Sequence, residues 1–177
     1  EQYGPEFLQL NPNHSVPVLE ITLADDSVHH MLESVAMVEW LADAYPDTQL
    51  APAPALTLER ADYLQMMQFA GSWMDAMLWQ IRVHRDLLPE EEADPRTVAR
   101  YREKFAQEVE PQLLARLEHG YYICGADFSA ADILVGHNVL WAQAYDLCAD
   151  ATFRDYVARL AERDAFRKAF ADARARG

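Results

Sequence analysis

Two dipeptides near the start of the chain have the residue types to hold a small extended peptide: Val16-Pro17 and Glu33-Ser34. An X-Pro step takes the cis form at a cost of only about 0.5–1 kcal/mol. A cis bend at the start of a strand would aim the N–H and C=O of Val16 outward, where an extended peptide can pair with them as an added strand. Ser34 is an N-cap candidate, and its hydroxyl with the free N–H groups of a first helical turn favours an anion. Glu33 beside it can accept from an ammonium group, so the pair suits an α-amino-acid head group. Each dipeptide alone reads equally well as an ordinary trans-proline strand entrance or an ordinary helix cap.

The elements that must position these groups follow from the surrounding pattern. A short helical turn over 5–10 is stopped by Asn11-Pro12. Pro17 to Leu23 is apolar and rich in β-branched residues, bounded by the turn-prone Asp25-Asp26-Ser27, and reads as a strand with a hairpin partner over 28–32. From Ser34 the period becomes helical, with Val35, Val38, Leu41 and Ala42 on one side until Tyr45-Pro46-Asp47. The Pro-Ala connection at 50–54 marks a boundary between residues 1–49 and an all-helical part over 55–177. In the latter, Tyr63, Met67, Ala70, Met74, Met77 and Ile81 form one apolar stripe on a long helix. A further helix over 98–113 is expected to kink at Pro111. Ser129-Ala130-Ala131-Asp132 is a capping-box start for a helix apolar nearly all round, with one or two more helices over 153–173. Ser129 and Asp132 are therefore read as a structural cap.

Composition narrows the possible partners. A net charge of −14 disfavours nucleic acid and anionic membranes, which need a positive surface, so an anionic ligand must be held by local donors. Cys124 and Cys148 match no metal or redox spacing and read as two buried thiols. The six histidines, including His29-His30 and His137, show no metal-ligand spacing, and no metal is expected. No apolar run reaches the roughly 20 residues of a membrane span and no signal-peptide pattern is present, so a cytoplasmic protein is expected.

Between them these segments resemble the glutathione S-transferase family, of the bacterial cytosolic type. The matching residues are Phe7 to Pro12, Val16-Pro17, Asp25-Asp26, Leu32-Glu33-Ser34 and the Ala36 to Pro46 tail; in the second half, Tyr122 to Ile133 and Asp164 to Ala169. The likeness spans essentially the whole chain. It implies an α+β, thioredoxin-like N-terminal part followed by an all-α bundle. The chain opens at Glu1 on what reads as the middle of a domain, so the family's first strand, helix and strand would lie upstream.

The resemblance also implies roles. Val16 would pair with the cysteinyl part of glutathione, Pro17 would be cis, and Glu33 with Ser34 would hold the γ-glutamyl end. The family usually shows N-P-x-G-K-V-P where this chain has Asn11-Pro12-Asn13-His14-Ser15-Val16-Pro17. A protonated His14 would replace the missing basic residue at the glycyl carboxylate, and Asn13 or His14 would take the backbone angles of the missing glycine. Asp164 stands where proline is usual. The thiol-activating Ser, Tyr or Cys of the family has no counterpart here, so the catalytic residue is unassigned. Trp73 and Met77, four apart on the first long bundle helix, would line the pocket for a small hydrophobic electrophile, and the protein would act as a homodimer.

Three functions fit this reading. The leading one is a transferase that adds the glutathione thiolate to an electrophile. Isomerisation, dehalogenation or thiol-disulfide reduction would keep the fold and co-substrate and change the reaction. A non-catalytic binding or assembly module is the third.

Overall fold

The computed structural model describes residues 2–176. A short helix, α1 (Pro5–Leu10), leads into an antiparallel hairpin of β1 (Leu19–Thr22) and β2 (Val28–Met31). The ladder pairs Leu19 with Met31 and Thr22 with Val28. Its turn closes through the Asp25 carboxylate, which accepts the Ser27 N–H at 3.1 Å, while Asp26 supplies a positive φ of 62°. Short polar side chains that bond their own backbone are what such a turn requires. Helix α2 (Ser34–Ala44) follows, then one 3₁₀ turn at Pro46–Thr48.

The remaining chain is helical. Leu58–Leu87 is continuous in direction but not in winding: α3 (Leu58–Gln68), a π-helical segment Phe69–Met74, α4 (Asp75–Arg82) and a second π-helical segment Val83–Leu87. Tyr63, Met67, Ala70, Met74, Met77 and Ile81 all lie buried along it, as their spacing predicts, joined by Met66 and Leu78. The expected kink lies at Val109, two residues before Pro111, where α5 (Pro95–Glu108) passes into α6 (Glu110–His119): φ there is −99°, and the Val109 N–H still reaches the Phe105 carbonyl at 2.9 Å. Proline lacks the N–H to continue the ladder, and its ring collides with the carbonyl one turn back. Phe105, Val109 and Leu113 nonetheless stay fully buried across the kink. Helix α7 (Ala130–Gln143) runs through the middle of the bundle, and α8 (Ala151–Ala161) and α9 (Asp164–Arg176) close it.

Helix α2 is fastened to the bundle by Arg60. This nearly buried arginine donates to both Asp43 oxygens at 2.8 Å, to the Pro52 carbonyl at 3.0 Å and to Glu39 at 3.4 Å. A planar guanidinium suits this because its fork matches a carboxylate in two parallel bonds. The Ala130 N–H donates to the Leu50 carbonyl at 2.6 Å, tying the connection to the start of α7 as well. Arg60→Ala is expected to cost about 1–3 kcal/mol in urea unfolding, since it strands partly solvated acceptors.

Candidate functional site

The hairpin register assembles the site. The ladder ends at the Leu19–Met31 pair, so Val16-Pro17 lies just before it and Glu33-Ser34 just after it, at the same end of the hairpin. Two dipeptides separated by a whole hairpin therefore both flank its open end. The Val16–Pro17 peptide is cis, as the resemblance implies. Val16 is 67 % exposed, and its N–H and C=O make no hydrogen bond among the described residues.

The loop before it is organised by a residue whose role the sequence reading missed. Asn11 is 1 % exposed, and its amide donates to the Ser15 carbonyl at 2.8 Å and the Ser15 hydroxyl at 2.9 Å while accepting the Asn13 N–H at 3.0 Å. Within that loop His14 takes the positive φ (47°) expected of Asn13 or His14, and its ring lies 5.0 Å from that of Tyr3. The signal that could have revealed Asn11 is its place in an N-P-N turn, where an Asx side chain can close the loop on itself.

One expectation needs correction. Ser34 is not the N-cap of α2: Glu33 is, with φ 71° and ψ 104°, and Ser34 is the first helical residue. The positive φ carries the chain from strand to helix in a single residue, which moves the start of the helix one position earlier. Glu33 makes no side-chain cap bond, and its carbonyl receives the Met37 N–H at 3.0 Å. The N–H groups of the first turn thus remain free, with the Ser34 hydroxyl beside them, an arrangement that favours a carboxylate. A non-glycine residue held at positive φ costs of order 1–3 kcal/mol and tends to occur where function selects it.

Trp73 and Met77 do not share a surface. Trp73 is 43 % exposed under the Lys104 ammonium, 4.7 Å from its ring centroid, whereas Met77 lies in the core. Met74 and not Trp73 shares the buried side with Met77, as the apolar stripe predicts. Within the π-helical segment Phe69–Met74, Gly71 touches α2: a Cβ there would lie 2.2 Å from Val35 Cγ2. The Asn138 amide on α7 donates to the Ala70 carbonyl at 2.8 Å, another contact that spacing alone did not reveal.

Ser129 and Asp132 form the expected capping box at the start of α7. The carboxylate does most of the bonding: it accepts the Ser129 N–H at 2.9 Å and hydroxyl at 3.2 Å, the Ile123 N–H at 2.8 Å and the Tyr156 hydroxyl at 2.8 Å. Burial pushes its pKa up, and these donors draw it part of the way back. Cys148 is buried and Cys124 half-buried, and both are free. Burial pushes the Cys124 thiol up to about 12 and Cys148 higher still, so neither supplies a thiolate at neutral pH. Among the described residues no group of acidic, His and Cys side chains has the arrangement of a metal site. No helix is long and apolar enough to cross a membrane.

A cis-proline step and a free helix N-terminus at one end of a hairpin, with a helical bundle packed against that same helix, give the chain the fold of the bacterial-type glutathione S-transferases, to which it is similar. Among curated proteins it is similar to the glutathione S-transferase GstA of Escherichia coli O157:H7, 27% identical over 165 residues that cover 90% of this chain and 74% of that one. It is also similar to the maleylacetoacetate isomerase of Dictyostelium discoideum, 36% identical over 72 residues, or 41% of this chain and 30% of that protein. A glutathione transferase from Burkholderia graminis, solved with two glutathione molecules per subunit, superposes with a TM-score of 0.78 at 27% identity, covering 94% of this chain and 71% of that one. No family model matches the chain.

Proposed function

We propose that the protein is a glutathione-dependent transferase that joins the glutathione thiolate to a small hydrophobic electrophile, as a homodimer in the cytoplasm. The observation that supports this reading is the open end of the hairpin, from which run both the unpaired backbone of Val16 at a cis Val16–Pro17 bond and the free first turn of α2 at Ser34. In this reading the cysteinyl backbone pairs with Val16 beside Pro17. The γ-glutamyl carboxylate sits at Ser34 and its ammonium meets Glu33. His14, exposed at the lip of the loop, meets the glycyl carboxylate when protonated. The site uses local donors, which is what a chain of net charge −14 must do to hold an anion. Exposed Trp73 supplies an apolar wall for the electrophile, with Met77 supporting the helix from beneath.

Isothermal titration with reduced glutathione is the direct test. Saturable binding is expected, with Ser34→Ala weakening it about tenfold, the loss of one hydrogen bond to a charged group. Failure of the native protein to bind at millimolar glutathione refutes the reading. The likeness to a maleylacetoacetate isomerase favours a second reading, in which the thiolate adds reversibly to an activated double bond and leaves an isomer. Product analysis separates the two, because only conjugation consumes glutathione.

A further inference from the structure

A cavity of about 670 Å³ opens between the connection that follows α2, the start of α3, the loop before α7 and the junction of α8 with α9. It shares no residue with the candidate glutathione site. Pro46, Leu50 and Pro52 line it from the connection, and Phe128 lines it from the loop. Flat apolar faces of this kind suit a planar ring, and the volume lies in the range of small-molecule sites.

Two polar groups on its wall lack partners. Tyr63 lines the cavity and is fully buried, yet its hydroxyl makes no hydrogen bond; among the described residues it is the only buried side-chain polar atom left so. Arg60 cannot serve it: the guanidinium lies over the Tyr63 ring, 5.2 Å from its centroid, and its N–H groups are spent on Asp43, Pro52 and Glu39. An unpaired buried hydroxyl destabilises a fold, so each one calls for a ligand or a water to complete it. Burial pushes the Tyr63 pKa up to about 12, which keeps the hydroxyl neutral and able both to donate and to accept.

The second group is Arg163, exposed at the outer side of the cavity, with its guanidinium 3.6 Å from the centroid of the Phe128 ring. Stacking uses the guanidinium face and leaves the N–H fork in its plane. Among the described residues Arg163 bonds only through its backbone N–H, to the Leu160 carbonyl at 3.2 Å. The other charged groups on the cavity are the exposed carboxylates Glu59 and Asp127. One guanidinium against two carboxylates favours a single negative charge in the fork and opposes a second.

We infer that this cavity binds a small aromatic monocarboxylate, with its carboxylate in the fork of Arg163 and a ring hydroxyl on the Tyr63 hydroxyl. The site is separate from the proposed glutathione chemistry and does not depend on it. A ligand seated there touches the connection, α3, the loop and the α8–α9 junction at once, and because it binds only the folded chain it raises Tm.

Isothermal titration with benzoate and the three hydroxybenzoates tests the site in the native protein, Tyr63→Phe and Arg163→Gln. One hydroxybenzoate is expected to bind the native protein about tenfold more tightly than benzoate, the worth of one hydrogen bond. In Tyr63→Phe that preference disappears, while benzoate affinity stays within about twofold, since only an unpartnered oxygen is removed. In Arg163→Gln all four ligands weaken about tenfold or more, and benzamide, which lacks the charge, is as weak on the native protein. Saturating glutathione leaves every affinity unchanged. No binding of any of the four by the native protein at about 10 mM overturns the site. So does a hydroxyl preference that is absent from the native protein or survives in Tyr63→Phe, either of which leaves the Tyr63 hydroxyl to a water. Unchanged affinity in Arg163→Gln, or displacement of the carboxylates by glutathione, places them elsewhere and overturns it as well. Absence of glutathione binding refutes the proposed function and leaves this inference standing.

Discussion

Replacing Asp132 by alanine is expected to lower the free energy of unfolding by about 3–5 kcal/mol, among the largest effects a single side chain has on a domain of this size. The carboxylate is fully buried and receives four hydrogen bonds from Ile123, Ser129 and Tyr156. Those donors lie on the segment before α7, on the cap of α7 and on α8, so one side chain closes three pieces of chain around the bundle's central helix. Alanine leaves the Ile123 N–H and the Tyr156 hydroxyl unsatisfied in the interior, and each orphaned donor costs about 1–3 kcal/mol. Tyr156→Phe removes a donor without stranding one at that position, so its loss is nearer 1 kcal/mol. Urea unfolding of both variants checks the ordering. A loss below 1 kcal/mol for Asp132→Ala would mean that the carboxylate is not the keystone its geometry makes it. At the usual scaling the larger loss lowers Tm by about 10 °C.

Gly71→Ala is expected to weaken glutathione binding at least tenfold, although residue 71 lies on the bundle and not on the hairpin. A methyl group there would stand 2.2 Å from Val35 Cγ2, well inside contact distance. Valine in a helix has essentially one χ1 rotamer and cannot swing aside. The first turn of α2 must therefore move, carrying with it the N–H groups beside Ser34 that hold the anion. The added methyl also costs about 1–3 kcal/mol in stability, the usual price of overpacking. Gly136→Ala is the matched control. Its Cβ would meet Leu160 Cδ1 at 2.3 Å, but that atom is the far end of a flexible side chain remote from α2. It is expected to alter stability and leave glutathione affinity unchanged. The double variant Gly71→Ala with Val35→Ala restores the space and is expected to recover most of the affinity. Unchanged binding in Gly71→Ala would uncouple the bundle from the site.

The parts of this structure that were legible in the sequence are those governed by local chemistry. The apolar stripe from Tyr63 to Ile81 is buried as its spacing predicts, because helical periodicity needs only the next few residues to express itself. The capping box at Ser129 and Asp132 and the turn at Asp25-Asp26-Ser27 formed for the same reason: the partner groups are three residues away or fewer. The start of α2 was misplaced by one residue, since the positive φ at Glu33 is imposed by the passage from strand to helix, not by any preference of glutamate. The pairing of Trp73 with Met77 failed because Met77 belongs to the buried stripe with Met74, while Trp73 faces outward.

By itself the sequence determined the order of elements, the caps and turns that bound them, and the two dipeptides able to hold an amino-acid head group and a peptide backbone. Only the tertiary structure decided that these dipeptides flank the open end of one hairpin. It alone put Asn11 at the centre of the loop, Arg60 between Asp43 and Pro52, and Gly71 beside the start of α2. The reason is range. Helical period and capping depend on neighbours within a turn, whereas a site built where a hairpin end meets a bundle helix depends on packing between residues tens of positions apart, which no local spacing encodes.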